Sequence, residues 1–407
     1  CNLNQARWRG SMTTRRDFLG KVALGGIGGI LASQTPPAFL RNLGTIREQD
    51  RLQEAREIHD RCLIFDGHND TPVERVARGM DVSTMMEYNK HYQTDYLRMS
   101  EVGYDTAAFI IGNGRIANVW VTMEQTLSMI QDHPDKLLLA LEPGDIREAQ
   151  NSDRVAVMMA IEGIAKWIHG QPDILRMLHR NGVRMVALTH GEGGPDPKFE
   201  QVSNPLYRRM RSGPTQLQGS RSPYRLCTPQ ERAAELRNAI GLTQFGEEIL
   251  GLNNELGIVT DLTHINDRAY FDVLERTSKP TIVSHTAVFS RCNHFRCLTD
   301  DQIRALADNG GAMGVCFVSQ FLKEDPAEAT LETLAEHIAH VADIVGVEHA
   351  GIGTDFDGVG TMSVVVPELS ELAQVTRALM DFGFSESEIR QIWGENFLRV
   401  WQENHTA

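Results

Sequence analysis

Eight short, near-continuously apolar runs punctuate the chain beyond residue 50, and longer segments of helical period separate them. The runs are Cys62–Phe65, Thr106–Ile111, Val155–Ile161, Arg184–Thr189, Ile258–Thr263, Thr281–Ser284, Ala312–Phe317 and Ala350–Thr354. Runs this short and this apolar read as strands covered on both faces, which is the condition of a parallel sheet wrapped by helices. Helices are expected at Ile174–Arg180, Thr243–Leu256, Asp300–Asp308 and Leu331–Val345, with Pro367–Phe382 and Glu386–Trp401 after the last strand. Eightfold strand–helix alternation predicts an α/β fold, a (β/α)8 TIM-like barrel; an open doubly wound sheet would alternate in the same way.

What stands at the ends of the runs favours the barrel. Asp66-Gly67-His68-Asn69-Asp70 follows the first run, Glu162 the third, His190 the fourth, His264 the fifth, His285 the sixth and Asp355 the eighth. In a barrel the C-terminal ends of the strands surround one mouth, where active sites are built, so residues scattered in sequence become one cluster in space. Taken singly, each has a plain structural explanation: a hydrogen-bonded histidine, a helix-capping Glu162, a turn at Asp355-Phe356-Asp357-Gly358. Six at one mouth do not. Imidazoles and carboxylates without thiols suit zinc or a similar divalent ion, and their number exceeds what one tetrahedral site requires. Two ions bridged by a carboxylate and a hydroxide are expected, at the C-terminal mouth, and with them hydrolysis.

The bulk properties exclude other classes. A hydrophobic fraction of 41% and a charged fraction of 23% are those of an ordered globular protein. A net charge of −14 argues against a nucleic-acid partner, which needs a basic face. One basic stretch, Lys198 to Arg225, is rich in Pro, Gly, Ser and Gln and reads as a solvated loop. The six cysteines form no CxxC pair and read as thiols.

The first 45 residues read as an address and linker, with one hydrolase domain from 46 to 407. Thr13-Thr14-Arg15-Arg16-Asp17-Phe18 precedes a glycine-rich apolar run, Val22–Leu31, in the manner of a twin-arginine (Tat) export signal. The run is too short for a membrane span, which needs about 20 residues. Export to the periplasm is expected, with no stable membrane span beyond the signal.

With these residues in view, the chain resembles the membrane dipeptidase (renal dipeptidase) family. Asp66-Gly67-His68-Asn69-Asp70-Thr71-Pro72, Ile161-Glu162-Gly163, Leu188-Thr189-His190, Asp261-Leu262-Thr263-His264, Ser284-His285 and Gly353-Thr354-Asp355-Phe356-Asp357-Gly358 follow in that family's order. The resemblance implies that His68 and Asp70 bind one zinc, that His264 and His285 bind the other, and that Glu162 bridges them. It further implies that His190 contacts substrate and steadies the oxyanion, that Asp355 is the acid-base residue, and that Arg296 holds the carboxylate of a dipeptide. A homodimer is the family expectation. The chain departs from the family pattern at three places: Ile164-Ala165 where Gly-His is usual after Glu162-Gly163, Cys297 where Asn commonly follows the Arg, and no Asn after His190. Those departures keep open a related binuclear amidohydrolase acting on a non-dipeptide amide or a lactam.

Overall fold

A computed structural model describes residues 38–82, 92–113, 118–190, 226–239, 241–359 and 363–405. The export-signal segment and the basic stretch from Lys198 to Arg225 lie outside the described residues. A helix spans Ala38–His59 and therefore runs through the expected boundary at residue 45.

Among the described residues, nine parallel strands build the centre: β1 Phe65–Asn69, β2 Thr106–Gly112, β3 Leu137–Leu139, β4 Val155–Glu162, β5 Val183–Ala187, β6 Val259–Asp261, β7 Ile282–Thr286, β8 Ala312–Val315 and β9 Ala350–Ile352. Eight follow one another in the order β1-β2-β4-β5-β6-β7-β8-β9, a nearly closed TIM-like barrel. Closure between β9 and β1 occurs just beyond β9: Asp355 N donates to His68 O at 3.2 Å and Asp70 N to Phe356 O at 2.9 Å.

The continuous apolar runs are explained by two cores. In β2, Ala107, Phe109 and Ile111 face the helices, while Ala108 and Ile110 face the barrel interior; in β4, Val155, Val157, Met159 and Ile161 alternate likewise with Ala156, Met158 and Ala160. With the period-2 alternation of a strand, both faces must be apolar when both are covered.

The short β3 was not expected. It pairs with the first half of β4, Leu137 opposite Val155, whereas β5 pairs with the second half from Met159 onward. A Leu-Leu-Leu run has high helix propensity and no β-branched residue, so its composition conceals a strand. The expected first strand also shifts: Cys62–Ile64 lead in, and the polar Asp66–Asn69 are themselves strand.

The lower end of the barrel is plugged by the helix Asn396–Asn404. Phe397 lies against Phe65 with ring centroids 5.9 Å apart, and Asn396 Nδ2 donates to Ala350 O at 2.8 Å. Asn404 Nδ2 donates to Pro280 O at 2.7 Å. Above this plug the barrel is narrow. A Cβ on Gly67, Gly314 or Gly353 would overlap the Ser284 carbonyl oxygen, so strands from different sides of the barrel meet there backbone to backbone.

Around the barrel, helix starts follow their local signals: Thr299 with Gln302, Thr330 with Thr333 and Ser385 with Glu388 each form a reciprocal capping box. Cys62, Cys227, Cys292, Cys297 and Cys316 are buried thiols. No helix among the described residues is long and apolar enough to cross a membrane.

One buried histidine makes the fold acid-sensitive. His337, on the helix Leu331–Val345, accepts from Val288 N through Nδ1 at 3.0 Å, and its Nε2 lies 3.0 Å from Leu322 O. Burial, against the pull of the Leu322 carbonyl, lowers its pKa to about 4. A protonated ring would turn Nδ1 from acceptor into a donor facing an N–H. The folded pKa is depressed below the unfolded value of 6.5, so this contribution is complete above pH 6.5 and is lost as pH falls toward 4. The loss is expected to reach about 3 kcal/mol at most, seen as a falling Tm between those limits. A flatter curve is expected for His337→Gln, and an unchanged slope would refute the assignment.

Candidate metal centre

The apolar runs place the chemistry directly after the strands. His68, Glu162 and His285 instead lie within the closing residues of β1, β4 and β7, while His190, His264 and Asp355 stand three residues beyond β5, β6 and β9. Pairing registers shift between Asp66 and Asn69 in β1 and between Val283 and Thr286 in β7, the stretches that carry His68 and His285. Such irregularities re-aim side chains at barrel rims. His264 at φ 66° and Asp355 at φ 61° adopt the left-handed backbone that non-glycine residues avoid, and backbone strain of this kind clusters at functional sites.

Glu162 is the hub. Its Oε1 lies 2.8 Å from His264 Nε2, 3.7 Å from His285 Nε2 and 3.8 Å from His68 Nε2, and its Oε2 lies 3.3 Å from His190 Nε2. His68 Nε2 is 3.3 Å from Asp70 Oδ2, and the Nε2 atoms of His264 and His285 are 3.3 Å apart. Tetrahedral zinc with bonds of about 2.0–2.1 Å sets its ligand atoms roughly 3.3 Å from one another, and three of these six separations, His68 to Asp70, His190 to Glu162 and His264 to His285, match that spacing. Asp70 Oδ1 and His68 Nδ1 are buried without a hydrogen bond. The donor set and its spacing fit divalent cations.

Three overlapping groups emerge: His68 with Asp70 and Glu162, Glu162 with His190 and His264, and His68 with His285 and Asp355. Glu162 belongs to the first two, and His68 to the first and third. His190, expected as a substrate contact, stands as close to Glu162 as the expected ligands do. His285 packs on His68, ring centroids 3.8 Å apart.

Electrostatics divide the histidines. Burial pulls His68 down, but Asp70 and Glu162 overcome it and raise its pKa to about 10. A pocket that holds a proton this firmly is rich in negative charge that a cation would neutralise. His285 is pushed well below its ordinary value, by burial and then by the positive surroundings of His68 and Arg296. It is therefore a neutral ring with a lone pair ready for a metal. Burial, against the pull of His68 and with help from Asp70 and Glu162, raises Asp355 to about 7, a value suited to proton transfer at neutral pH.

Asp66 and Asp261, to which the motifs assign no role, both clamp the rim. Asp66 accepts from the Tyr104 hydroxyl, from Thr354 N at 2.7 Å and from Thr354 Oγ1 at 2.6 Å, tying β1 to the segment that carries Asp355. Asp261 accepts from Thr263 Oγ1 and Ser284 Oγ, each at 2.6 Å. Ser284 Oγ, having donated to Asp261, is left to accept from His285 Nδ1 at 3.0 Å, which turns the lone pair of Nε2 toward Glu162. The sequence signal is an Asp two or three residues before a clustered histidine, in Asp66-x-His68 and Asp261-x-x-His264.

Backbone space is as constrained as side-chain chemistry. Gly163 has φ 89°, and a Cβ there would come within 2.7 Å of His190 Cβ. A Cβ on Gly358 would overlap the carboxylates of Asp70 and Asp355. Arg296, on the loop after β7, is buried beside the cluster: its Nη2 lies 3.3 Å from His264 Nε2 and donates to His285 O at 3.3 Å.

A barrel with histidines and carboxylates gathered at its C-terminal mouth defines a metal-dependent hydrolase. Residues 52–195 and 227–407 match the model of the membrane dipeptidase family, peptidase family M19, and the chain belongs to that family. It is 30% identical over 373 residues to dipeptidase verJ of Clonostachys rogersoniana, covering 86% of each chain. With dipeptidase tcpJ of Claviceps purpurea it shares 26% identity over 271 residues, 67% of this chain but only 56% of that relative's length. Its fold is similar to a metallopeptidase from Rhodobacter sphaeroides bound to a phosphinate mimic of L-Ala-D-Ala, with TM-score 0.71 and 21% identity, over 84% of this chain and 99% of the other.

Proposed function

We propose that this protein hydrolyses the amide bond of dipeptides bearing a free C-terminal carboxylate. Two zinc ions would be held by His68, Asp70, Glu162, His264 and His285, with Glu162 shared between them. The observation that carries this reading is Glu162 within 3.8 Å of four imidazoles, with the Arg296 guanidinium at the edge of the same cluster. When bound, such a pair of ions lowers the pKa of water toward neutrality and polarises the scissile carbonyl.

The chain's own groups do the rest. Asp355, beside His68, takes a proton from the attacking water and passes it to the leaving amine. His190, at the outer side of Glu162, donates to the oxyanion as the carbonyl becomes tetrahedral. Arg296 presents a planar fork to the substrate carboxylate, and its burial strengthens that pairing.

The test is a panel of L,L-, L,D- and Gly-dipeptides offered to zinc-loaded and chelated protein. Chelator-sensitive release of amino acids is expected, with Arg296→Ala raising KM about tenfold or more and changing kcat less. Bound zinc with no dipeptide cleaved would move the assignment to a non-dipeptide amide or lactam, which Ile164 and Cys297 motivate.

We also propose export by the twin-arginine route. Replacing Arg15 and Arg16 with Lys is expected to leave the protein in the cytoplasm of a bacterial host, and undiminished export would refute the proposal.

A further inference from the structure

Arg232 is buried on the helix Pro229–Asn238, lines the same small cavity as His264 and Arg296, and sends its hydrogen bonds to the loop that carries Arg296. Its Nη1 donates to Cys297 O at 2.5 Å and to Phe295 O at 3.3 Å, the carbonyls on either side of Arg296. The carbonyl between them, that of Arg296 itself, accepts from Thr286 Oγ1 at 2.8 Å. Arg296 N in turn donates to His294 Nδ1 at 3.2 Å. Three successive carbonyls and one amide are thus pinned, which fixes the backbone of Arg296 and the direction in which its side chain leaves.

Arg232 is itself rigidly placed. Its Nε and Nη2 donate to the two oxygens of Asp267, each at 2.8 Å, and Nη2 also reaches Gln302 Oε1 at 2.8 Å. Asp267 lies three residues beyond His264, so one guanidinium links the loop after β6, with its metal-site histidine, to the loop after β7, with Arg296. The segment leading into the Arg232 helix is joined to the same loop: Leu226 bridges His294, and Cys227 N donates to Asn293 O at 2.7 Å.

We infer that Arg232 is a positioning residue for substrate recognition, setting the Arg296 guanidinium at a fixed place relative to His264 and His285. The inference rests on the reading of Arg296 as the carboxylate anchor. A recognition group gains discrimination when its supporting contacts hold it in place before the ligand arrives. Lysine at position 232 keeps the charge opposite Asp267 but lacks the fork that reaches both carbonyls.

The experiment compares each dipeptide with its C-terminal amide, using zinc-loaded full-length protein, in the wild type, Arg232→Lys, Arg296→Ala and the double variant. In Arg232→Lys, KM for the dipeptide is expected to rise about tenfold, and preference over the amide to fall by a similar factor, while kcat stays within about twofold. Zinc content and Tm are measured on the same samples. In the Arg296→Ala background the Arg232→Lys change is expected to add nothing, the non-additivity of two residues acting as one unit. Asp267→Asn, which weakens the same clamp from its other side, is expected to repeat the pattern if Arg232→Lys folds poorly. Discrimination unchanged in both clamp variants, or an effect that persists in full without Arg296, overturns the inference. A wild type that cleaves dipeptides and their amides equally well overturns the carboxylate-anchor reading instead.

Discussion

Glu162→Gln is expected to abolish metal binding as well as activity, and to leave the metal-free protein folded. The substitution keeps the shape of the side chain and removes one negative charge from the point where His68, His190, His264 and His285 converge. An amide cannot bridge two cations with two equivalent anionic oxygens, so the shared ligand is lost to both ions. Cation stabilisation by ligands depends on that charge. The expected fall in kcat/KM is at least about a thousandfold, or about 4 kcal/mol of transition-state stabilisation. The folded metal-free state should lose only part of its stability, because Asp70 and Asp355 lose a like-charged neighbour while His68 and His264 lose an anionic partner. The measurement is differential scanning calorimetry with and without zinc. Wild type should gain Tm on zinc addition, a ligand at 100 times its Kd contributing about 2.7 kcal/mol. The variant should not. A variant that still takes up two zinc ions per chain would remove Glu162 from the bridging position.

Asp355→Asn should separate chemistry from metal binding. Zinc content and KM are expected to stay near wild type while kcat falls by about a hundredfold to ten-thousandfold, the range of a lost general acid-base group. Asn is the appropriate probe because Asp355 sits at φ 61°, a conformation that Asn tolerates better than most residues, so the backbone bond from Asp355 N to His68 O survives. Loss of zinc along with kcat would identify Asp355 as a ligand, a role that its grouping with His68 and His285 makes the natural competitor.

Much of this site was legible in the sequence because barrel topology converts strand ends into neighbours. His68, Asp70, Glu162, His190, His264, His285 and Asp355 were expected from their places after apolar runs, and Arg296 from the family resemblance; the structure gathers all of them at one mouth. The less legible features depend on contacts between distant segments. Pairing of β3 with half of β4 depends on register, which composition does not encode. Tyr104 was invisible because its link to Asp66 crosses strands, and Arg232 because it lies far in sequence from the loop it supports. The closeness of His190 to Glu162 depends on Gly163, whose positive φ lets two strand ends approach.

The glycine contacts around the Ser284 carbonyl and the Phe397 plug have a kinetic meaning. Among the described residues, backbone and aromatic packing close the barrel from below, which leaves its reacting groups to be approached from the C-terminal mouth. On the dipeptidase reading proposed above, peptide is expected to enter by the route through which both amino acids depart. On that reading the second product leaves past the groups that receive the next substrate, and free amino acids are expected to compete with peptide for entry.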